Sequence, residues 1–78
     1  MLKFMNLAEL KEGDEAFITN IEVNASSKKM LLTYGISTGS ILRINYSPGY
    51  MGMTNLTIKG KMVCLRNTVA HAIQVLKL

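Results

Sequence analysis

Several residue types that often form disulfides, bind metals or anchor interfaces are scarce in this chain. Its 78 residues include one cysteine, one histidine, one proline and no tryptophan. A single cysteine cannot close an intramolecular disulfide, so nothing indicates an oxidising compartment. The longest apolar runs are far too short to span a bilayer, and Glu9 soon interrupts an N-terminus that lacks a sustained apolar segment. We therefore expect a cytoplasmic protein with no direct insertion into a membrane.

Acidic residues are missing from most of the chain. All five lie within the first 22 positions, whereas nine lysines and arginines extend over the whole length and give a net charge of +4. This distribution favours an acidic edge beside a broader basic surface, which would steer a charged partner. The alternative is a solvated surface with no role in binding, and the sequence leaves both open.

The residue groupings that catalysis needs are also missing. General acid–base catalysis uses paired titratable groups, but no carboxylate follows Glu22 and His71 is the only imidazole. A Cys64–His71 nucleophile pair is conceivable, yet Cys64 stands in an apolar run, which predicts a buried and inert thiol. The stretch of residues 35–39 lacks the lysine and the spacing of a phosphate-binding loop. The sequence thus predicts a protein that is not an enzyme and has no cofactor.

The apolar residues, which make up 49% of the chain, predict one folded domain over residues 1–78. They alternate with polar residues in about five short stretches separated by turn signals, which favours a mainly β fold, a small SH3-like and partly open barrel. The predicted strands cover residues 14–23, 40–46, 55–59, 62–66 and about 73–75. The alternation slips by one position at Thr19–Asn20, which predicts a bulge. In the second strand Tyr46 is predicted to share a face with Leu42 and Ile44, and in the third Asn55 is predicted to point outward.

One short helix, ending at about Tyr34, and two helical turns complete the prediction. Side chains that can accept hydrogen bonds from the free N–H groups of a helix precede each of them. The predicted caps are Ser26 or Ser27 for the helix, Asn6 for a turn over residues 6–11, and Asn67 for a turn that ends at His71.

Glycines stand where the chain must change direction. Gly35 follows the predicted helix and suits the left-handed position after its last turn, where Ile36 can pack back on the helix. Gly60 and Lys61 predict a tight turn between the third and fourth strands. A structural role at turns is therefore assigned to Gly13, Gly35, Gly39 and Gly60.

Three stretches, which together extend from about Leu7 to Val75, keep a specific order of glycines and aliphatic residues. They are Leu7-x-x-Leu10-x-x-Gly13, then Leu31-x-x-x-Gly35-Ile36-x-x-Gly39-x-x-Leu42, then Ile58-x-Gly60 with Cys64-Leu65-Arg66, Ala70, Ile73 and Val75. In this order and spacing the chain resembles the FeoA family of small cytoplasmic accessory proteins of bacterial ferrous iron uptake. The resemblance implies an SH3-like fold. It also implies protein–protein contact with the cytoplasmic side of FeoB, the membrane transporter with a G-protein domain.

The resemblance points to iron, but the chain offers few ligands for it. Ferrous iron prefers imidazole and carboxylate ligands, often two histidines and one acid, and this chain has a single histidine. Met51 and Met53 could attract a soft ion such as Cu(I), but two thioethers alone make a weak site. No metal site is predicted, and we expect the protein to handle iron only through its partner.

Two stretches are the predicted partner-binding residues. Lys28, Lys29 and Met30 fall on the predicted helix, and Tyr50, Met51 and Met53 fall in a hairpin loop that contains proline and glycine. Flexible methionine and tyrosine side chains on a loop suit docking into a partner. A loop that simply folds over the end of the barrel is the alternative, and weak homo-oligomerisation through edge strands stays open.

Single-stranded nucleic acid is the rival partner for a small basic barrel. Proteins of that kind place aromatic residues among lysines and arginines on one sheet face, so that bases stack along a charged track. Here the aromatic residues Phe17, Tyr34, Tyr46 and Tyr50 are scattered along the sequence, and only Arg43 lies close to any of them. No RNP-like motif occurs. Nucleic-acid binding is therefore kept as the second hypothesis.

Overall fold

One antiparallel sheet dominates the computed structural model, which describes residues 3–46 and 52–78. Within these ranges it has six strands in the order β1-β6-β2-β3-β4-β5. The strands are β1 Lys3–Asn6, β2 Glu15–Ile21, β3 Ile41–Tyr46, β4 Met53–Ile58, β5 Lys61–Arg66 and β6 Ile73–Lys77. The edge strands β1 and β5 do not pair with each other, so the sheet is not closed. The predicted mainly β, SH3-like and partly open architecture is confirmed, with one strand more than expected.

The additional strand is β1, at the N-terminal end of the described chain. It pairs with β6 from the opposite end of the sequence, and Phe4 lies opposite Leu76. Four residues are too few to show a clear alternation of apolar and polar side chains. They form a strand because distant residues pair with them. The predicted helical turn follows as a single 3₁₀ turn, Leu7–Glu9. The Glu9 carboxylate accepts a hydrogen bond from the Asn6 N–H at 2.9 Å, as the capping-box spacing predicts.

The two helices are α1, Ala25–Thr33, and α2, Asn67–Ala70. Asn24 caps α1, because its Oδ1 accepts a hydrogen bond from the Ser27 N–H at 2.8 Å. The prediction of a cap at Ser26 or Ser27 is therefore wrong, and the helix begins with residue 25. Asn67 is the first residue of α2 rather than its cap. No helix in the described parts of the chain is long and apolar enough to cross a membrane.

The core lies on one face of the sheet and is closed by Leu7 and Leu10 at the 3₁₀ turn, Leu31 of α1, Ile36 after it and Ala70 of α2. The predicted slip in the first strand is confirmed, since the register of β2 against β6 shifts between Ile18 and Asn20. This bulge lets Ile18 and Ile21 both face the core despite their odd spacing. The large apolar side chains that are almost completely buried are Leu7, Leu10, Ile18, Leu31, Ile36, Leu42, Ile44, Leu56, Ile58, Ile73 and Val75.

One predicted side-chain direction in the β3–β4 hairpin is wrong, and a second residue is more buried than expected. Tyr46 is 54% exposed, because the register shifts after Ile44 and turns the end of β3 away from the core. Asn55 lies opposite the exposed Cys64 and so points outward as predicted, but only 5% of Asn55 is exposed. Its Oδ1 accepts a hydrogen bond from Asn45 Nδ2 at 2.7 Å, which satisfies the buried amide.

The turn between β4 and β5 consists of Lys59 and Gly60, one residue earlier than predicted. Both residues have positive φ, 50° and 78°, as a two-residue type I′ turn requires. Ile58 and Lys61 are accordingly directly opposite each other. Positive φ is also found at Gly13, Gly35, Gly39 and Gly52.

Candidate partner-binding surface

The exposed side of α1 carries the helical half of the predicted binding residues. Lys28, Lys29 and Met30 are all exposed, with 43% of the Met30 surface open to solvent. The reason is local: Leu31 is the one residue of the nine-residue helix that is buried. Neither lysine forms an ion pair with a described residue, whereas Lys77 is 3.5 Å from Asp14. The two ammonium groups are therefore available to a partner.

Two further residues join this surface that the sequence prediction left out. Leu32 is 54% exposed and Tyr34 is 39% exposed. Leu31 faces the core, whereas Leu32, about 100° further around the helix axis, is turned toward solvent. We call Lys28, Lys29, Met30, Leu32 and Tyr34 the α1 surface.

The hairpin half of the prediction is described only in part. Tyr50 and Met51 lie outside the described residues. Met53 begins β4, is half-buried, and lies opposite Arg66 of β5. A cation thus accompanies the methionine at this end of the sheet.

An open depression of about 430 Å³ lies between the turn that precedes β2 and the second half of β3. Its lining residues are Glu12, Gly13, Arg43, Ile44 and Asn45. Apart from Gly13, none of them is a predicted site residue. The lining offers a carboxylate, a guanidinium group and an amide but neither a thiol nor an imidazole, so it has no nucleophile–base pair.

The environment of Cys64 differs from the prediction, because its side chain is exposed rather than buried. Val63 and Leu65 point into the core, and alternation along β5 turns the residue between them outward. Asn55 Nδ2 donates a hydrogen bond to Sγ at 3.1 Å. Within residues 3–46 and 52–78, no group of three or more histidines, cysteines and acidic residues could hold a metal ion.

The exposed aromatic residues of the described chain do not form a stacking track. Phe4 is 75% exposed on β1, Tyr46 is 54% exposed on β3, and Tyr34 follows α1. Two strands, β6 and β2, separate β1 from β3 in the sheet. Bases stacked on one of these rings would therefore not continue to the next.

These features define a small antiparallel β domain with a basic and partly apolar surface on one helix. The FeoA domain family model matches residues 5–77, nearly the whole chain. The chain therefore belongs to the FeoA domain family.

Solved structures agree with this assignment. The crystal structure of the iron uptake regulatory protein FeoA superposes with a TM-score of 0.90 at 22% identity, covering 97% of this chain and all of that one. The solution structure of FeoA from Chlorobium tepidum gives 0.84 at 25% identity over 91% of this chain and 68% of that one. A manganese-dependent transcriptional repressor gives 0.89 at 25% identity, and this chain spans 44% of the repressor's length. Among curated proteins, no sequence matches the chain significantly.

Proposed function

We propose that this protein is a cytoplasmic accessory protein of ferrous iron uptake that acts by binding the cytoplasmic side of an FeoB-like transporter. Membership of the FeoA domain family is the observation that carries the proposal. One solved structure matches this chain at 22% identity over the whole length of the solved protein. That protein is described as an iron uptake regulatory protein. Iron is then the cargo of the partner rather than a ligand of this chain.

The α1 surface is the contact we assign to this function. It combines two exposed cations with exposed methionine and leucine side chains on α1, and with the exposed Tyr34 that follows the helix. Apolar and aromatic side chains supply affinity at protein interfaces, and charges at the rim set the rate and the choice of partner. The loop residues Tyr50 and Met51, together with Met53, are the second proposed contact.

Contact of this kind requires no chemistry from the chain. The described residues offer no cluster of metal ligands, and the open depression beside Arg43 has no thiol or imidazole. The proposal is therefore a binding module and not an enzyme. A change in the transporter would follow from occupancy of its cytoplasmic surface.

The direct test is calorimetric titration of this protein into the purified cytosolic G domain of the ferrous iron transporter from the same organism. Runs without nucleotide, with GDP and with a non-hydrolysable GTP analogue show whether the contact follows the nucleotide state. We expect saturable binding with a Kd on the order of tens of micromolar, as for a small transient interface. A second titration uses the whole transporter in lipid nanodiscs, which includes surfaces that the G domain lacks.

Binding to neither preparation contradicts the proposal. A titration with single-stranded RNA at low salt would then test the second hypothesis, which is nucleic-acid binding. Separately, micromolar binding of Fe(II) to the purified protein alone would overturn the statement that iron is handled only through the partner.

A further inference from the structure

Strand β5 is the longer of the two open edges of the sheet. It has six residues, Lys61–Arg66, and pairs only with β4, whereas the other edge strand, β1, has four. An edge strand presents backbone N–H and C=O groups that no neighbouring strand satisfies. A six-residue edge is long enough to pair with a typical strand.

The turn before β5 determines which backbone groups face the open edge. A two-residue turn closes on a hydrogen-bonded pair, here Ile58 and Lys61, and such pairs alternate along an antiparallel ladder. Val63 and Leu65 therefore bond to β4, while the N–H and C=O groups of Met62 and Cys64 point away from it. Neither residue makes a backbone hydrogen bond to a turn, loop or cap in the described chain. Their side chains are exposed as well, that of Met62 by 68%.

The charges along this edge are all of one sign. Lys61 and Arg66 stand at the two ends of β5, Lys59 precedes it in the turn, and all three side chains are exposed. No acidic residue occurs after position 22 in the sequence. The nearest strand that carries a carboxylate, β2, is separated from β5 by β3 and β4. A strand added here would meet cations at both of its ends.

We propose that the β5 edge binds an extended segment of another protein that carries acidic side chains, as an additional antiparallel strand. The free backbone groups of Met62 and Cys64 would bond to the segment regardless of its sequence, and Lys61 and Arg66 would select acidic ends. A second copy of this chain is a poorer occupant. Pairing β5 with itself would bring Lys61 and Arg66 of both copies to one seam with no acid between them. The inference does not depend on which transporter or regulator the α1 surface contacts.

The experiment uses a fluorescein-labelled peptide of six residues with glutamate at each end and alternating valine and threonine between. Its matched control has lysine in place of both glutamates. Fluorescence anisotropy should show saturable binding of the acidic peptide at low salt. We expect the lysine peptide to bind at least about tenfold more weakly, since two attractive pairs become repulsive.

A pair of variants at one position isolates the backbone contribution. Met62→Pro removes an N–H of the open edge without removing a hydrogen bond to β4, and proline is tolerated on that side of an edge strand. Met62→Ala removes the side chain but keeps the N–H. We expect Met62→Pro to weaken the acidic peptide about threefold to tenfold, the worth of one hydrogen bond, and Met62→Ala to stay within about twofold of the parent.

Amide hydrogen exchange of the parent protein provides a readout that does not depend on the proline variant folding. A saturating amount of the acidic peptide should slow exchange of the Met62 and Cys64 N–H groups while leaving Val63 and Leu65 unchanged. Three results would each overturn the proposal: no binding at millimolar peptide, equal binding of the lysine peptide, or binding without protection of these two amides. Concentration-dependent dimerisation through β5 would instead assign the edge to a second copy of this chain. If the edge binds neither a peptide nor a second copy, its lysines serve to prevent pairing with other strands.

Discussion

Leu31 and Ile36 are joined across the end of α1. The Ile36 N–H donates to the Leu31 carbonyl at 2.9 Å, and both side chains are completely buried. Gly35 lies between them with a φ of +84°, and its N–H donates to the Leu32 carbonyl at 3.0 Å. This pattern is a Schellman motif, in which two orphan carbonyls are satisfied and the residue after the glycine packs back on the helix. It positions the end of the α1 surface relative to the core.

Gly35→Val should destabilise the protein by about 2–3 kcal/mol, because a β-branched residue resists the left-handed conformation. A Cβ at this position would also come within 3.2 Å of the Lys59 side chain, which is flexible and can move. Gly35→Asn is the matched control, since asparagine adds a Cβ but tolerates this conformation. Thermal unfolding should show a drop in Tm for valine that is clearly larger than that for asparagine. Equal Tm values for the two variants would contradict the role of backbone conformation.

Asn24→Ala should lower the free energy of unfolding by about 1 kcal/mol, since it removes the acceptor for the Ser27 N–H. Ser26→Ala is the control, because Ser26 is the second residue of α1 and does not cap the helix. Urea unfolding monitored by circular dichroism compares the two. A larger loss for Ser26→Ala would show that the helix begins later than Ala25.

Asn45 and Asn55 should be energetically coupled by about 1 kcal/mol through their 2.7 Å hydrogen bond. The two single alanine variants and the double variant form a double-mutant cycle, measured by urea unfolding. Asn45→Ala should be the more damaging single change, because it leaves the buried Asn55 Oδ1 without its donor, whereas in Asn55→Ala the Asn45 Nδ2 keeps Thr57 Oγ1 at 2.8 Å. Strictly additive losses would mean that the hydrogen bond contributes nothing to stability.

Ile44→Val should cost about 1 kcal/mol of stability, since the side chain is completely buried in the core. Ile41→Val provides the comparison on the same strand, because Ile41 is 55% exposed and the change should stay within about 0.5 kcal/mol. The midpoint of urea unfolding reports both. Similar losses of stability at the two positions would contradict the assignment of the core to the face of β3 that carries Ile44.

Reversing the charge of the α1 surface should weaken binding to the transporter without affecting the fold. The double variant Lys28→Glu and Lys29→Glu is expected to bind about fivefold more weakly at low salt, and the difference should shrink near 0.5 M salt as screening increases. The double variant Lys3→Glu and Lys11→Glu carries the same net charge and serves as the control. If both double variants lose affinity equally, the effect belongs to net charge and the assigned surface is wrong.

Much of the fold was predictable because its signals are local. The positive φ of Gly35 follows from a helix that must end, and the bulge near Thr19 follows from a slip in alternation that no regular strand could accommodate. Lys28, Lys29 and Met30 are exposed on α1, and their role in binding a partner stays a prediction.

The amino-acid sequence by itself determined where this chain turns to within about a residue, where α1 ends and most of the core residues of the central strands, because backbone sterics and side-chain period act within a few residues. Tertiary structure alone decided the rest. β1 is a strand because β6, from the far end of the chain, pairs with it. The Asn55 amide can be buried because Asn45 on β3 donates to its Oδ1 and Cys64 on β5 accepts from its Nδ2. The charged open edge at β5 likewise exists only once the strand order is set, since an edge is a property of the sheet and not of the strand.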